Sequence, residues 1–175
     1  MILKRAATAV TLVVGATIVI TAGGQSADVL QARLKQLFPA ATAFSPKGGE
    51  PPHFTAYAGP GTQNVLGYAF WTTEVSPLER GYGGPIVMLM GIDVKGLLTG
   101  VIVVEHHEPY GDFSIDRPAF GAQFRGKDVR DPFKLGQDVD AVSRASITMT
   151  SAVRAIRNSA RRVARELVAP PGAKP

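Results

Sequence analysis

Pro85-Ile86-Val87-Met88-Leu89-Met90-Gly91-Ile92-Asp93-Val94-Lys95-Gly96-Leu97-Leu98-Thr99-Gly100-Val101-Ile102-Val103-Val104-Glu105 is the stretch that decides the fold. Two apolar runs, 85–92 and 97–105, flank the turn residues 93–96 and predict a β-hairpin. Ile86, Met88 and Met90 alternate with Val87, Leu89 and Gly91. Both faces are therefore apolar, and the strand belongs in the middle of a sheet covered on both sides. Upstream, runs 54–58 and 65–73 flank Gly59, Pro60 and Gly61 and predict another hairpin. Residues 28–38 carry Leu30, Leu34 and Leu37 on one side of a short amphipathic helix, which Pro39 ends. Downstream, residues 108–138 are broken by Pro109, Gly111, Pro118, Gly121, Gly126, Pro132 and Gly136, with a short helix expected over 118–124. A loop that long inside a compact domain is a functional candidate. The last element is a helix, because Met149, Val153, Ile156, Ala160, Val163 and Leu167 form one apolar stripe. Arg154, Arg157, Arg161 and Arg165 form a second stripe, about 100° around the axis, that reads as a solvated face. Helix, antiparallel strands, loops and helix in that order make an α+β domain: a small, mostly antiparallel sheet flanked by an N-terminal and a C-terminal helix.

The chain has 175 residues and no cysteine, which excludes disulfides, iron–sulfur clusters and thiolate zinc sites. Any redox chemistry must come from an organic cofactor or a histidine/carboxylate metal. Seven of the 19 Lys/Arg but one of the 14 Asp/Glu lie from Arg144 onward, so the basic character belongs to the C-terminal segment. Lys4 and Arg5 precede an uncharged run, residues 6–27, that is rich in Val, Ile and Ala. Basic residues before such a run send the following chain across a membrane. Residues 1–27 read as a signal peptide or an N-terminal membrane anchor, residues 28–168 as one domain, and 169–175 as a disordered tail. The expected location is the periplasm, soluble or anchored to the inner membrane. That location argues against a nucleic-acid partner for the arginine stripe.

Three places offer chemistry. Glu105-His106-His107-Glu108 ends a strand, with Glu105 and His107 on one face and His106 and Glu108 on the other. A metal site would need a further ligand, but only His53 remains among the histidines and there is no HExxH. These residues read instead as groups that hydrogen-bond a loop or a ligand. Gly81-Tyr82-Gly83-Gly84-Pro85 precedes a strand and reads as a plain turn or a close approach to a ligand. Residues 140–151 are rich in hydroxyls and enter the last helix. They supply either a phosphate site or an ordinary N-cap by Ser143 or Ser146.

Taken together, these stretches resemble the FMN-binding domain family over about residues 28–167, in the form found in the N-terminal periplasmic domain of NosR. The G subunit of Rnf complexes and the C subunit of sodium-pumping quinone reductases are related forms. Leu37-Phe38-Pro39, Gly83-Gly84-Pro85, Gly91-Ile92-Asp93 and Glu105-His106-His107-Glu108-Pro109 carry the resemblance. The family motif Asp-x-x-Ser-Gly-Ala-Thr falls on Asp140 to Ser146, with Arg144 in place of glycine and Ser146 in place of threonine. The resemblance implies an electron-transfer protein rather than a turnover enzyme. It implies FMN bound by Ser143, Arg144, Ser146, Thr148, Thr150, Gly83, Gly84, His107 and Glu108. An ApbE-type flavin transferase would esterify the FMN phosphate to Ser146, and a separate redox partner protein would exchange the electrons, in nitrous-oxide or a related respiration. Arg144 either obstructs attachment or pairs with the phosphate. The alternative is a flavin-free accessory or binding protein on the same scaffold.

Overall fold

The computed structural model describes residues 22–59, 61–75 and 77–168, with the side chains from residue 26 onward. The expected leader, apart from its last six residues, and the expected tail 169–175 lie outside them. Among the described residues, no helix is long and apolar enough to cross a membrane.

Helix α1 (Ala22–Leu37) is followed by β1 (Ala43–Phe44), β2 (Phe54–Tyr57), β3 (Val65–Trp71), a one-turn α2 (Thr72–Val75), β4 (Val87–Asp93) and β5 (Leu98–Glu105). Then come α3 (Pro118–Ala122) and the long α4 (Ser146–Leu167). The five strands form one antiparallel meander in the order β1-β2-β3-β4-β5. Both expected hairpins are present, and β4 lies inside the sheet as its two apolar faces require. The α+β class is correct, with α1 and α4 each covering one face of the sheet.

The alternation in β4 sorts its side chains between two cores. Met88, Met90 and Ile92 join Phe70, Leu98 and Val101 on the face covered by α4. Leu89 joins Ala69, Phe54, Leu34, Leu37 and Phe38 on the face covered by α1. A register shift between β4 and β5 at Gly91/Ile92 is a bulge that lets Leu98 and Val101 share a face despite their odd spacing. The loop of residues 106–145 folds over the α4 side and contributes Ile115, Phe120, Phe124, Phe133 and Val139 to that core. Met149, Val153, Ile156, Ala160 and Val163 of α4 are buried there, as their spacing predicts. Each Met, Val or Ile among them removed from water stabilises the fold by about 1.5–3 kcal/mol. Thr72 of α2 ties these layers together: its buried hydroxyl accepts from Met88 N–H at 3.3 Å, and its carbonyl accepts from Ser159 Oγ at 3.4 Å.

Several details differ from the sequence expectation. Helix α1 begins at Ala22, six residues earlier than expected, inside the stretch assigned to the leader. Helix α3 ends at Ala122, so Phe124 lies in the turn after it. Strand β1 and helix α2 are too short to give a periodic signal. Arg161 is exposed, yet it donates to the carbonyls of Val129 at 3.0 Å and Asp131 at 2.9 Å and pins the long loop to α4.

Candidate functional site

The strand β5 alternation continues past its end. Glu105 and His107 are exposed, His106 is half-buried, and Glu108 is turned inward. His106 Nε2 bonds Asp116 Oδ1 at 2.8 Å, and Glu108 N–H donates to His106 Nδ1 at 3.0 Å. The imidazole thus fixes the backbone at the point where Glu108 leaves the strand.

The Glu108 carboxylate is the hub of the site. It accepts from Gly83 N–H at 2.8 Å, from Tyr82 N–H at 3.1 Å, and from the Thr148 hydroxyl in the first turn of α4. Burial pushes its carboxyl up, but the Thr148 hydroxyl, the Gly83 and Tyr82 N–H groups and His106 outweigh burial and hold it below its ordinary value. One buried charge therefore draws together the strand end, the glycine turn and the helix start.

The glycine turn closes on this hub because it lacks side chains. A Cβ at Gly83 would lie 1.8 Å from the His107 carbonyl oxygen, and one at Gly81 would lie 2.2 Å from the Glu108 carboxylate. Gly84 has φ +123°, a conformation side chains rarely adopt. Two of the glycines are thus required for close approach and one for its backbone angle.

Helix α4 starts with no side-chain cap: Ala145 occupies the N-cap position, so neither Ser143 nor Ser146 caps the helix. The first backbone N–H groups of such a helix have no acceptor inside it. Ser143 and Arg144 form the turn before it, exposed, and Arg144 sits at φ +70°. The arginine holds the left-handed conformation that glycine adopts without strain. Ser146 and Thr150 are exposed, whereas Thr148 is buried with its hydroxyl committed to Glu108. Ser146, Ile147, Thr150, Ser151 and Arg154 line an open cleft of about 300 Å³ together with Arg80 from the segment before the glycine turn.

The structure thus brings the glycine turn, Glu108, Thr148 and the hydroxyl face of α4 into one region, with His107 exposed beside Gly83 through its carbonyl. Arg80 gives no signal in the sequence because it lies far from α4 along the chain. Tyr82, 73 % exposed, reads in the sequence only as a member of the turn.

Residues 81–161, which contain all of these groups except Arg80, match the family model for the FMN-binding domain. Over those residues the chain is similar to the FMN-binding domain family. Over 137 residues, 73% of this chain, it is 28% identical to the regulatory protein NosR of Pseudomonas aeruginosa, covering 19% of that protein. Over 147 residues, 78% of this chain, it is 29% identical to NosR of Stutzerimonas stutzeri, covering 20% of it. A 48-residue segment, 27% of this chain, is 48% identical to the G subunit of the ion-translocating oxidoreductase complex of Haemophilus influenzae, covering 21% of it. The chain spans about a fifth of the length of these curated relatives.

The donor set of the cleft suits the flavin's phosphate end. It offers an exposed hydroxyl at Ser146, the uncapped first turn of a 22-residue helix, and two guanidinium groups, Arg80 and Arg154.

Proposed function

We propose that this protein is an extracytoplasmic electron carrier whose FMN is joined through a phosphoester to the Ser146 hydroxyl. The observation that supports it best is the convergence on Glu108. That convergence puts the glycine turn beside the start of α4, where Ser146 is exposed and the backbone N–H groups are uncapped. Arg80 and Arg154 supply positive charge in the same cleft. FMN, when bound, supplies reversible one- and two-electron chemistry.

The chain's own residues hold and orient. Glu108 fixes the spacing between the glycine turn and α4, and His106 fixes Glu108. Thr148 is spent on that clamp and is unavailable as an acceptor; Ser146 and Thr150 are both exposed, and of the two Ser146 occupies the motif position. Arg144 holds a left-handed backbone angle, which a glycine at this position would adopt without strain. A turn of that kind beside Ser146 favours the flavoprotein over the flavin-free scaffold.

The attachment is the work of an ApbE-type flavin transferase, which moves the FMN phosphoryl group from a flavin dinucleotide to Ser146 Oγ. The nucleoside monophosphate leaves and the hydroxyl proton passes to solvent. The electrons pass to and from a separate redox partner protein. Similarity to NosR supports nitrous-oxide or a related respiration as the setting. Lys4, Arg5 and the uncharged run after them support export to the periplasm, with the N-terminal segment cut or kept as an anchor. Co-expression of the full chain with such a transferase, followed by absorption spectroscopy, tests the reading. Flavin bands that bleach on reduction and return in air are expected. A folded but colourless protein would refute it.

A further inference from the structure

Two clefts meet beside strand β5, against the end of α1. The first, of about 370 Å³, lies between Gln36 and Leu37 of α1, residues 100–103 of β5 and the segment 115–125. The second, of about 450 Å³, is walled by Leu37, Phe38, Pro39, Leu66, Leu97 and Leu98. Leu37 and Arg125 line both. Neither cleft shares a residue with the one at the start of α4, so nothing here depends on the flavin reading.

At the junction the Arg125 guanidinium lies over Gly100. A Cβ on Gly100 would lie 3.8 Å from Arg125 Nη2 and 3.1 Å from Leu37 Cδ2. Among the described residues, nothing pairs with that guanidinium. The carboxylates that line the clefts are engaged elsewhere. Asp116 Oδ1 bonds His106 Nε2 at 2.8 Å, and Asp93 Oδ1 accepts from Lys95 N–H at 2.8 Å and Leu97 N–H at 2.9 Å. Thr99, which also lines the second cleft, has a buried hydroxyl with no partner among the described residues. A buried donor without an acceptor costs free energy, so the hydroxyl is a second group suited to an acceptor on a ligand. An apolar wall beside an unpaired guanidinium fits an apolar body with an anionic head.

The local packing narrows the ligand further. A Cβ on Gly121 would lie 2.4 Å from the Val101 carbonyl oxygen, so α3 closes the edge of β5 there and no peptide can add as a further strand. That leaves a small molecule, for which clefts of about 300–1,000 Å³ are usual. Asp93 and Asp116 disfavour a doubly charged phosphate head, whereas the fork of one guanidinium matches one carboxylate. We infer that these clefts bind a medium-chain carboxylate. Its hydrocarbon chain lies along Leu37, Phe38, Leu66, Leu97 and Leu98, and its carboxylate meets Arg125.

The test irradiates the full chain with a diazirine-bearing dodecanoate and maps the labelled peptides by mass spectrometry. Label is expected in the segments that hold residues 37–40 and 97–99. Unlabelled dodecanoate should compete at least roughly tenfold better than dodecanol, which has the same chain without the charge. Arg125→Gln removes no bond inside the described protein, so it should leave the thermal midpoint unchanged while lowering label in those segments about tenfold. Label taken up by the apolar residues 6–27 should not respond to the substitution and serves as the internal reference. Equal competition by dodecanol, undiminished label in a folded Arg125→Gln, or label absent from residues 37–40 and 97–99 would each overturn the site.

Discussion

Replacing Glu108 perturbs the group that joins three segments of the site. In Glu108→Ala, the N–H groups of Tyr82 and Gly83 and the hydroxyl of Thr148 all lose their acceptor. Hydrogen bonds to a charged group contribute about 1.5–3 kcal/mol each. Water can reach the exposed turn and recover part of that, which leaves a destabilisation of about 3–5 kcal/mol. Glu108→Gln keeps the shape and one carbonyl acceptor but not the charge, and should cost about 1–2 kcal/mol. The carboxyl is held below its ordinary value, so its stabilisation is fully present above about pH 4.5. It is lost as pH falls through the lower folded value, where a protonated Glu108 resembles glutamine. Urea unfolding at neutral pH and again near pH 3.5 reads both effects. The wild-type advantage over Glu108→Gln should shrink on acidification. An advantage that stays constant with pH, or Glu108→Ala as stable as wild type at pH 7, would refute the hub.

Arg144→Gly relieves a left-handed arginine at φ +70° and, after the entropy that glycine adds to the unfolded chain, should raise stability by about 0.5–1 kcal/mol in urea unfolding, whereas Arg144→Ala should not. Gly83→Ala puts a Cβ 1.8 Å from the His107 carbonyl and should lower the thermal midpoint through a loss of about 2 kcal/mol or more, along with the flavin content. Val163→Asp buries an unpaired charge under α4 and should cost about 3–5 kcal/mol. Arg161→Ser, which loses two exposed bonds to the loop, should cost about 1 kcal/mol in the same assay.

The parts legible in the sequence are those with a local period or a turn signal. Alternation in residues 85–92 marks an interior strand, and the 3.6 period marks α4 and its buried face. The glycine turn, the strand end and the hydroxyl segment are each visible as unusual stretches. Their meeting point is not, because alternation gives Glu108 a face but no partner, and its three donors come from other parts of the chain. Position alone makes Ser143 and Ser146 look like caps, but the turn at Arg144 leaves Ala145 in the N-cap place. Thr148 looks like one hydroxyl among several, and only packing commits it to Glu108. Arg80 gives no local signal: its relation to Ser146 and Arg154 exists only after the sheet brings the segment before β4 against α4.

Covalent attachment at Ser146 is the claim on which the rest turns, and intact mass with peptide mapping tests it most directly. The full chain and its Ser146→Ala and Ser146→Thr variants would be co-expressed with an ApbE-type flavin transferase. One FMN increment is expected on the wild type, mapped to the peptide that begins α4, with its retention in Ser146→Thr and its loss in a folded Ser146→Ala. An increment that persists in Ser146→Ala, or that maps to Thr150, would contradict it.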